Sequence, residues 1–134
     1  MTRFFDTNIF IYAFLDSTKR ERALEVLSEG GLISIQVLNE FANVALKKRK
    51  RSWPEIEAAL GVICARFPTI VPLTFETHAV GVALARDHGL SIYDAMIVAA
   101  ALEAGCDTLF SEDMQHQRTF GDMRIVNPFV ERAG

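Results

Sequence analysis

Arg3-Phe4-Phe5-Asp6-Thr7-Asn8 has the pattern of a short buried β-strand that ends at a carboxylate and is followed at once by a helix. In open α/β folds, ligands bind in the crevice beyond the carboxyl ends of parallel strands, so Asp6 is the first candidate site residue. Asp and Thr are also preferred helix caps, and capping alone would account for Asp6. Further acids that meet at the same place would decide between the two roles.

The composition fits one globular domain, which we expect to cover residues 1–134. Half of the 134 residues are hydrophobic and 23% are charged, and a chain of this length and composition forms one full core. The formal net charge of −3 argues against a protein that coats nucleic acid generally, although it does not exclude a local basic patch.

The sequence predicts a cytoplasmic protein without a membrane segment. The longest apolar runs are much shorter than the roughly 20 residues that span a bilayer. The N-terminus lacks the charged start and the cleavage site of a signal peptide. Cys64 and Cys106 lack metal-ligand spacing, so we interpret them as reduced core thiols.

Strand-like and helical segments alternate along the chain. Five segments are predicted as strands: Arg3 to Phe5, Leu32 to Ile35, Thr69 to Leu73, Asp107 to Ser111 and Met123 to Val126. Helices are predicted between them, with an irregular or helical stretch from Glu112 to about Phe120. This alternation predicts an α/β fold with three layers, α/β/α, around a central, mainly parallel five-stranded sheet.

Four acids are predicted to meet at one edge of this sheet. Asp6 ends the first strand, and Glu40 lies on the helix that follows the second strand. Asp94 lies in the first turn of a helix that is apolar nearly all round, and Asp113 follows the fourth strand by two residues. Asp107 stands at the start of its strand and should therefore lie at the opposite edge.

Four carboxylates in one pocket repel each other. A like-charged pair at 4 Å costs about 1 kcal/mol in water and about 4 kcal/mol at an effective dielectric constant of 20. A cation can offset this cost, or protonation of an acid can, which would raise its pKa. The motifs place no lysine nearby. An all-oxygen set without histidine or cysteine suits Mg²⁺ or Mn²⁺, which can orient a phosphodiester and lower the pKa of a water molecule.

Each acid also has a purely structural explanation. Ser91 and Asp94 match a capping box. Glu40 fits a solvated helix position, and Asp113 fits a turn. These explanations must all hold independently, whereas one site accounts for all four acids.

Four motifs carry a resemblance that covers essentially the whole chain. They are Phe5-Asp6-Thr7-Asn8, Asn39-Glu40-Phe41, Leu90-Ser91-Ile92-Tyr93-Asp94-Ala95 and Leu109-Phe110-Ser111-Glu112-Asp113. In this order and spacing, they resemble the acidic motifs of PIN-domain ribonucleases, particularly the VapC toxins of type II toxin–antitoxin modules. The sequence departs from the pattern at Gln117, where similar toxins often have glycine. It also lacks an acid shortly after Asp113, which leaves the number of metal ions open.

The resemblance implies a role for each matching position. The metal-binding acids would be Asp6, Glu40, Asp94 and Asp113, and the supporting polar residues would be Thr7, Asn8 and Ser111. It further implies Mg²⁺- or Mn²⁺-dependent endonucleolytic cleavage of RNA by water, with the 5′-phosphate left on the product. A homodimer and inhibition by a small cognate antitoxin protein are implied as well.

A basic run, Lys47-Lys48-Arg49-Lys50-Arg51, favours RNA binding, because neutralising phosphates is the main source of sequence-independent affinity. The same run fits a solvated helix end whose cations complement the helix dipole. His116, close to Asp113, is a further candidate for RNA contact, or an ordinary loop residue.

Other functional classes fit the sequence less well. A receiver domain needs an aspartate after the middle strand, where Thr74-Phe75 stands instead, and a haloacid-dehalogenase-type phosphatase needs an acid at the position of Asn8. Phosphate-cradling glycine loops are absent. The main alternative is a catalytically weak PIN-like module that only binds RNA or protein.

Overall fold

A computed structural model describes residues 2–130, so both ends of the predicted domain 1–134 lie outside the described residues. The strands are β1 (Arg3–Phe5), β2 (Ile33–Ser34), β3 (Ile70–Val71), β4 (Thr108–Phe110), β5 (Thr119–Phe120) and β6 (Met123–Val126). The helices are α1 (Thr7–Phe14), α2 (Arg20–Leu27), α3 (Ile35–Lys47), α4 (Trp53–Arg66), α5 (Phe75–His88) and α6 (Ile92–Glu103). The predicted α/β alternation is confirmed, and the three-layer arrangement is consistent with it.

The central sheet differs from the predicted five strands. It has four strands in the order β1-β4-β6-β5, and a separate parallel pair is formed by β2 and β3. A single parallel bridge between Phe4 and Leu32 connects the pair to β1. β2 is short because Ser34 already caps α3. β3 is short because Pro72, which follows it, cannot donate a ladder hydrogen bond.

β5 was not predicted as a strand. It pairs antiparallel with β6 through a tight turn at Gly121-Asp122, and Gly121 has a φ of 57° there. Gly-Asp between two short runs is a recognised hairpin signal, and it marks this turn in the sequence. The other sheet pairings are parallel, so the mainly parallel sheet is confirmed.

Aromatic packing fixes the start of the chain in the core. Phe5 is fully buried and stacks on Phe110 of the neighbouring strand, with ring centroids 5.5 Å apart. It also makes edge contacts with Phe10 and Phe67. Burial of one such side chain stabilises the fold by about 1.5–3 kcal/mol. β1 is thereby anchored, and the residues directly after it are held at the carboxyl edge of the sheet.

The helix α6 is buried on nearly all sides, as its sequence predicts. Residues 95–101 are all buried, and Asp94, one residue earlier, is half-buried at the mouth of the helix. Within the described chain, no helix is both long and apolar enough to cross a membrane.

Candidate active site

One cavity of about 360 Å³ lies beyond the carboxyl ends of β1 and β4, and we call it the acid cavity. All four predicted acids line it, together with seven other residues. The complete lining is Asp6, Thr7, Asn8, Ile11, Tyr12, Glu40, Val44, Lys48, Arg49, Asp94 and Asp113. The structure therefore brings together acids that are up to 107 positions apart, from Asp6 to Asp113.

Asp6 is both a helix cap and a member of the cavity wall. Its backbone N–H donates to the carbonyl of Phe110 at 2.9 Å, which continues the pairing of β1 with β4. One carboxylate oxygen accepts from the Thr7 N–H at 2.7 Å and caps α1. The other accepts from the Ser111 hydroxyl at 2.6 Å. Capping and a place in the site are therefore compatible for Asp6.

Asn8 and Ser111, two of the predicted supporting residues, connect Asp6 to Asp113. The Asn8 amide nitrogen lies 3.0 Å from an Asp113 carboxylate oxygen and 3.4 Å from one of Asp6. The Ser111 hydroxyl, which donates to Asp6, also accepts from the Asp113 N–H at 3.2 Å. Two uncharged side chains thus hold two acids at one rim.

Glu40 and Asp94 reach the cavity from helices. Glu40 projects from α3 and accepts from the Thr7 hydroxyl at 3.2 Å, so the third supporting residue also contacts an acid. The first turn of α6 carries Asp94, whose backbone N–H donates to Ser91 at 3.1 Å. Ser91 therefore caps this helix, as predicted, and the cap leaves the Asp94 carboxylate at the cavity.

The acids perturb one another. Burial raises the pKa of Asp6 from its usual 3.8 to about 7, and the charges of Asp94 and Asp113 add to this rise, against two hydrogen bonds that oppose it. Burial is also the largest cause of the raised pKa of Glu40 and of Asp94, and Asp113 contributes to both. Without a cation, part of the carboxyl set is therefore disposed to hold protons near neutral pH.

The lining has the chemistry of a site for a hard divalent cation. Four carboxylates face it, and histidine and cysteine are absent from the residues that line it. Within residues 2–130, however, no three acid, histidine or cysteine side chains lie close enough to form a complete metal site. The donor set therefore fits Mg²⁺ or Mn²⁺ in kind, without the closed arrangement of a preformed cage.

The sequence as a whole matches a known family over most of its length. The family model for the PIN domain matches residues 3–120, a range that contains all four acids. The chain belongs to the PIN-domain family. A comparison with curated protein sequences gives no significant match.

Solved structures with the PIN fold include several from toxin–antitoxin systems. A toxin–antitoxin complex from Klebsiella pneumoniae aligns with a TM-score of 0.73 at 22% identity, over 96% of this chain and 98% of that one. VapC20 of Mycobacterium tuberculosis, described as a sarcin-ricin loop cleaving toxin, aligns with a TM-score of 0.70 at 16% identity, over 84% and 92%. VapBC2 of Rickettsia felis, solved with a DNA fragment from its promoter, aligns at 0.61 and 21%, over 84% and 89%. The chain therefore has the fold of VapC-type PIN proteins.

The basic run divides into two parts in this fold. Lys48 and Arg49 line the acid cavity, and an Arg49 guanidinium N–H donates to the carbonyl of Asp16 at 2.8 Å. Arg51 forms ion pairs with Asp16 and Glu55 instead. Lys47 and Lys50 are exposed and are not part of the cavity lining.

The expectation that no lysine lies near the acids is wrong. Glu40, Val44 and Lys48 follow one another at four-residue spacing, which places them on one stripe of a helix, and all three line the acid cavity. The four-residue spacing of positions 40, 44 and 48 was visible in the sequence and would have placed Lys48 on the same helix face as Glu40.

His116 lies elsewhere. Its Nδ1 accepts from the Asn127 N–H at 2.9 Å, and its side chain lines a separate cavity of about 830 Å³ beside Arg3 and Arg22. The structure does not bring His116 to the acid cavity.

Two further residues, one in the cavity lining and one beside it, were not predicted as functional from the sequence. Tyr12 lines the acid cavity one helical turn after Asn8, so helical spacing would have found it. Glu112, directly before Asp113, accepts a hydrogen bond from Tyr12 and pairs with Lys19. The pairing of Lys19 with Glu112 joins residues that are 93 positions apart, and no local pattern predicts it.

Proposed function

We propose that the protein is a Mg²⁺- or Mn²⁺-dependent endoribonuclease, the toxin component of a toxin–antitoxin module. The observation that carries the proposal is that Asp6, Glu40, Asp94 and Asp113 line one cavity in a chain of the PIN-domain family. Burial and mutual repulsion make it unfavourable for all four acids to be ionised without a cation. A divalent cation in the cavity would stabilise the ionised forms.

The protein residues hold and orient the carboxylates. Ser111 and Thr7 fix both oxygens of Asp6, so this acid is rigid. The Asn8 amide donates to the Asp113 carboxylate and holds it at the same rim of the cavity. The Thr7 hydroxyl donates to the Glu40 carboxylate and orients it toward the cavity. When bound, a divalent cation supplies Lewis-acid stabilisation of the phosphodiester charge and lowers the pKa of a water molecule.

Several observations favour RNA as the substrate. Lys48 and Arg49 place two positive charges at the wall of the acid cavity, where a phosphate backbone would pass. Among proteins of the same fold, VapC20 is described as a toxin that cleaves the sarcin-ricin loop. We propose Lys48 and Arg49 as the main RNA-binding residues, with smaller contributions from Lys47, Lys50 and Arg51.

We further propose a cognate antitoxin as partner, a homodimer and a cytoplasmic location. Three of the structural relatives are described as toxin–antitoxin or VapBC assemblies. Large apolar side chains are available for protein contacts, with Phe75 84% and Tyr93 64% exposed. Both Cys64 and Cys106 are free thiols, as expected in a reducing compartment. Molar mass in solution, measured for the wild type and for Phe75→Glu, tests the dimer.

RNA cleavage by the purified protein tests the activity. Wild type and Asp94→Asn are each incubated with a mixed RNA substrate in Mg²⁺, Mn²⁺ or EDTA, and the product ends are identified. We expect fragments with 5′-phosphates from the wild type with either metal, and intact RNA from the variant and in EDTA. Equal cleavage by the two proteins, or undiminished cleavage in EDTA, would contradict the proposal.

One observation favours a second candidate, a catalytically weak PIN-like module that binds RNA or protein. Within the described part of the chain, no three potential ligands lie close enough to form a complete metal site. The same assay separates the two functions: this module would leave the RNA intact with either metal.

A further inference from the structure

A fifth acid next to the cavity is turned away from it. Glu112 accepts a hydrogen bond from the Tyr12 hydroxyl on one carboxylate oxygen and pairs with the Lys19 ammonium on the other. That ammonium lies 4.9 Å from the centroid of the Tyr12 ring and 5.4 Å from that of Phe129. We call Tyr12, Lys19, Glu112 and Phe129 the brace.

The charges of the brace are matched. Burial favours the neutral form of Glu112, but the hydrogen bonds from Lys19 and Tyr12 outweigh it and lower the pKa of this carboxyl. Glu112 thus forms an ion pair with Lys19 and is not part of the lining of the acid cavity.

Asp113 depends on side-chain contacts for its position. Residues 111–118 form neither helix nor strand, and Asp113 is exposed. The Glu112 N–H donates to the side-chain oxygen of Asn8 at 3.3 Å, while the nitrogen of the same Asn8 amide contacts Asp113 at 3.0 Å. One amide of α1 thus contacts two successive residues of the turn, so the positions of Glu112 and Asp113 are linked through Asn8.

We propose that Tyr12 and Lys19, acting through Glu112, are positioning residues that fix Asp113 at the acid cavity for metal binding. The proposal rests on the proposed function of the cavity. Partly exposed ion pairs contribute little to overall stability, so we expect the brace to act on the placement of Asp113 rather than on folding. Residues that orient metal ligands typically change metal affinity by about 10–100-fold when they are removed.

Matched substitutions on neighbouring positions test the brace. Lys19→Met removes the cation of the brace, Glu112→Gln removes its negative charge, and Lys19→Arg keeps the cation. Arg20→Met is the control, since Arg20 follows Lys19 directly but pairs with the exposed Asp16. Melting temperatures without metal establish that each variant is folded.

The first measurement is the concentration of Mn²⁺ that gives half of the metal-induced rise in melting temperature, without RNA. It should increase about tenfold or more in Lys19→Met and Glu112→Gln, and stay at the wild-type value in Lys19→Arg and Arg20→Met. The second measurement is the NMR order parameter of the Glu112 and Asp113 amides without metal, which should fall in the same two variants only.

The outcomes separate this proposal from the function on which it rests. If wild-type protein neither responds to Mn²⁺ nor cleaves RNA, the proposed function fails, whereas the order parameters still report whether the brace holds the turn. If the wild type responds and both brace variants keep its Mn²⁺ requirement and its order parameters, the positioning role is overturned.

Discussion

The two edges of the sheet present the same residue type in opposite environments. Asp6 follows β1 at the carboxyl edge and is only 3% exposed, and burial raises its pKa to about 7. Asp107 precedes β4 at the amino edge and is exposed, and hydrogen bonds from the Thr108 side chain and the Thr2 N–H hold its pKa below the usual range. The position of an acid relative to its strand therefore decides whether its carboxylate is buried beside other acids or is exposed among its own neighbours.

The difference follows from strand direction. β1, β4 and β6 are parallel, so their carboxyl ends meet at one edge and the loops that follow them converge there. Among residues 2–130, the amino edge gathers no comparable set of acids around Asp107, whose carboxylate accepts hydrogen bonds from the Thr2 N–H and the Thr108 hydroxyl. The carboxyl edge is thus the side of the sheet where chemistry is expected.

The largest expected effect compares one isosteric change at each edge. Asp6→Asn should reduce RNA cleavage more than about 100-fold, because loss of a proposed metal ligand would remove several kcal/mol of stabilisation of the transition state. Asp107→Asn, the matched control, should cleave like the wild type. Initial rates under saturating Mg²⁺ provide the measurement. Comparable losses in both variants would mean that the carboxyl edge has no special role.

The edges should also respond to pH in opposite directions. In metal-free protein, the raised pKa of Asp6 stabilises the fold below about pH 4, and this contribution is lost as pH rises through 7. It amounts to a few kcal/mol, because a one-unit difference in pKa corresponds to about 1.4 kcal/mol. The lowered pKa of Asp107 works the other way: its contribution is present above its unfolded pKa and is lost as pH falls.

Urea unfolding between pH 4 and 8 in EDTA measures this dependence. We expect the free energy of unfolding of Asp6→Asn to vary less with pH than that of the wild type. Above pH 5, the free energy of unfolding of Asp107→Asn should change with pH as that of the wild type does, at a somewhat lower value, because the variant lacks the contribution of the Asp107 carboxylate there. Parallel curves for Asp6→Asn and the wild type would show that Asp6 titrates normally in the folded protein.

The cations at the carboxyl edge should affect RNA binding more than those outside it. Replacing Lys48 and Arg49 by alanine should reduce the slope of log affinity against log salt by about 1.4 for single-stranded RNA, at about 0.7 for each phosphate contact. Replacing Lys47 and Lys50 removes the same charge and serves as the control. Binding is measured in an Asp94→Asn background, which prevents cleavage. Equal slope changes in the two double variants would indicate a diffuse electrostatic contribution.

The smallest expected effect is a change in stability at Gln117, in the loop that follows β4 at the carboxyl edge. Gln117 has a left-handed φ of 70°, which explains why similar toxins often have glycine there. Gln117→Gly should raise the free energy of unfolding by up to about 1 kcal/mol, because relief of backbone strain slightly exceeds the entropic cost of glycine. Gly89, with a φ of 69°, is the reverse control: Gly89→Ala should destabilise. Thermal unfolding of both variants measures the effect, and a less stable Gln117→Gly would contradict it.

Much of the carboxyl edge could be predicted from the sequence because local signals place it. A buried Phe4-Phe5 pair before Asp6, and Ser91 as a cap before Asp94, each set the position of one acid by short-range rules. The alternation of strands and helices predicts parallel strands, and parallel strands bring these positions to one edge of the sheet. The metal-binding role of the four acids stays a prediction.

The features that the sequence did not predict depend on the lengths of strands and helices and on contacts between residues far apart in the chain. All five predicted strands form, but β2 and β3 pair with each other outside the main sheet. Each has only two residues, because Ser34 caps α3 early and Pro72 follows β3 directly. The position of Lys48 at the acid cavity was missed because the helical spacing from Glu40 was not followed over two turns to Lys48. The partner of Glu112 is Lys19, in a different loop, and only the folded chain reveals that contact.

The most direct test of the acid cavity is a crystal structure of the protein with Mn²⁺, in which anomalous scattering locates the metal. The account predicts a peak in the acid cavity beside the carboxylates of Asp6, Glu40, Asp94 and Asp113, and its loss in Asp94→Asn. A structure at saturating Mn²⁺ without a peak in this cavity, or with one only beside Asp107, would contradict it.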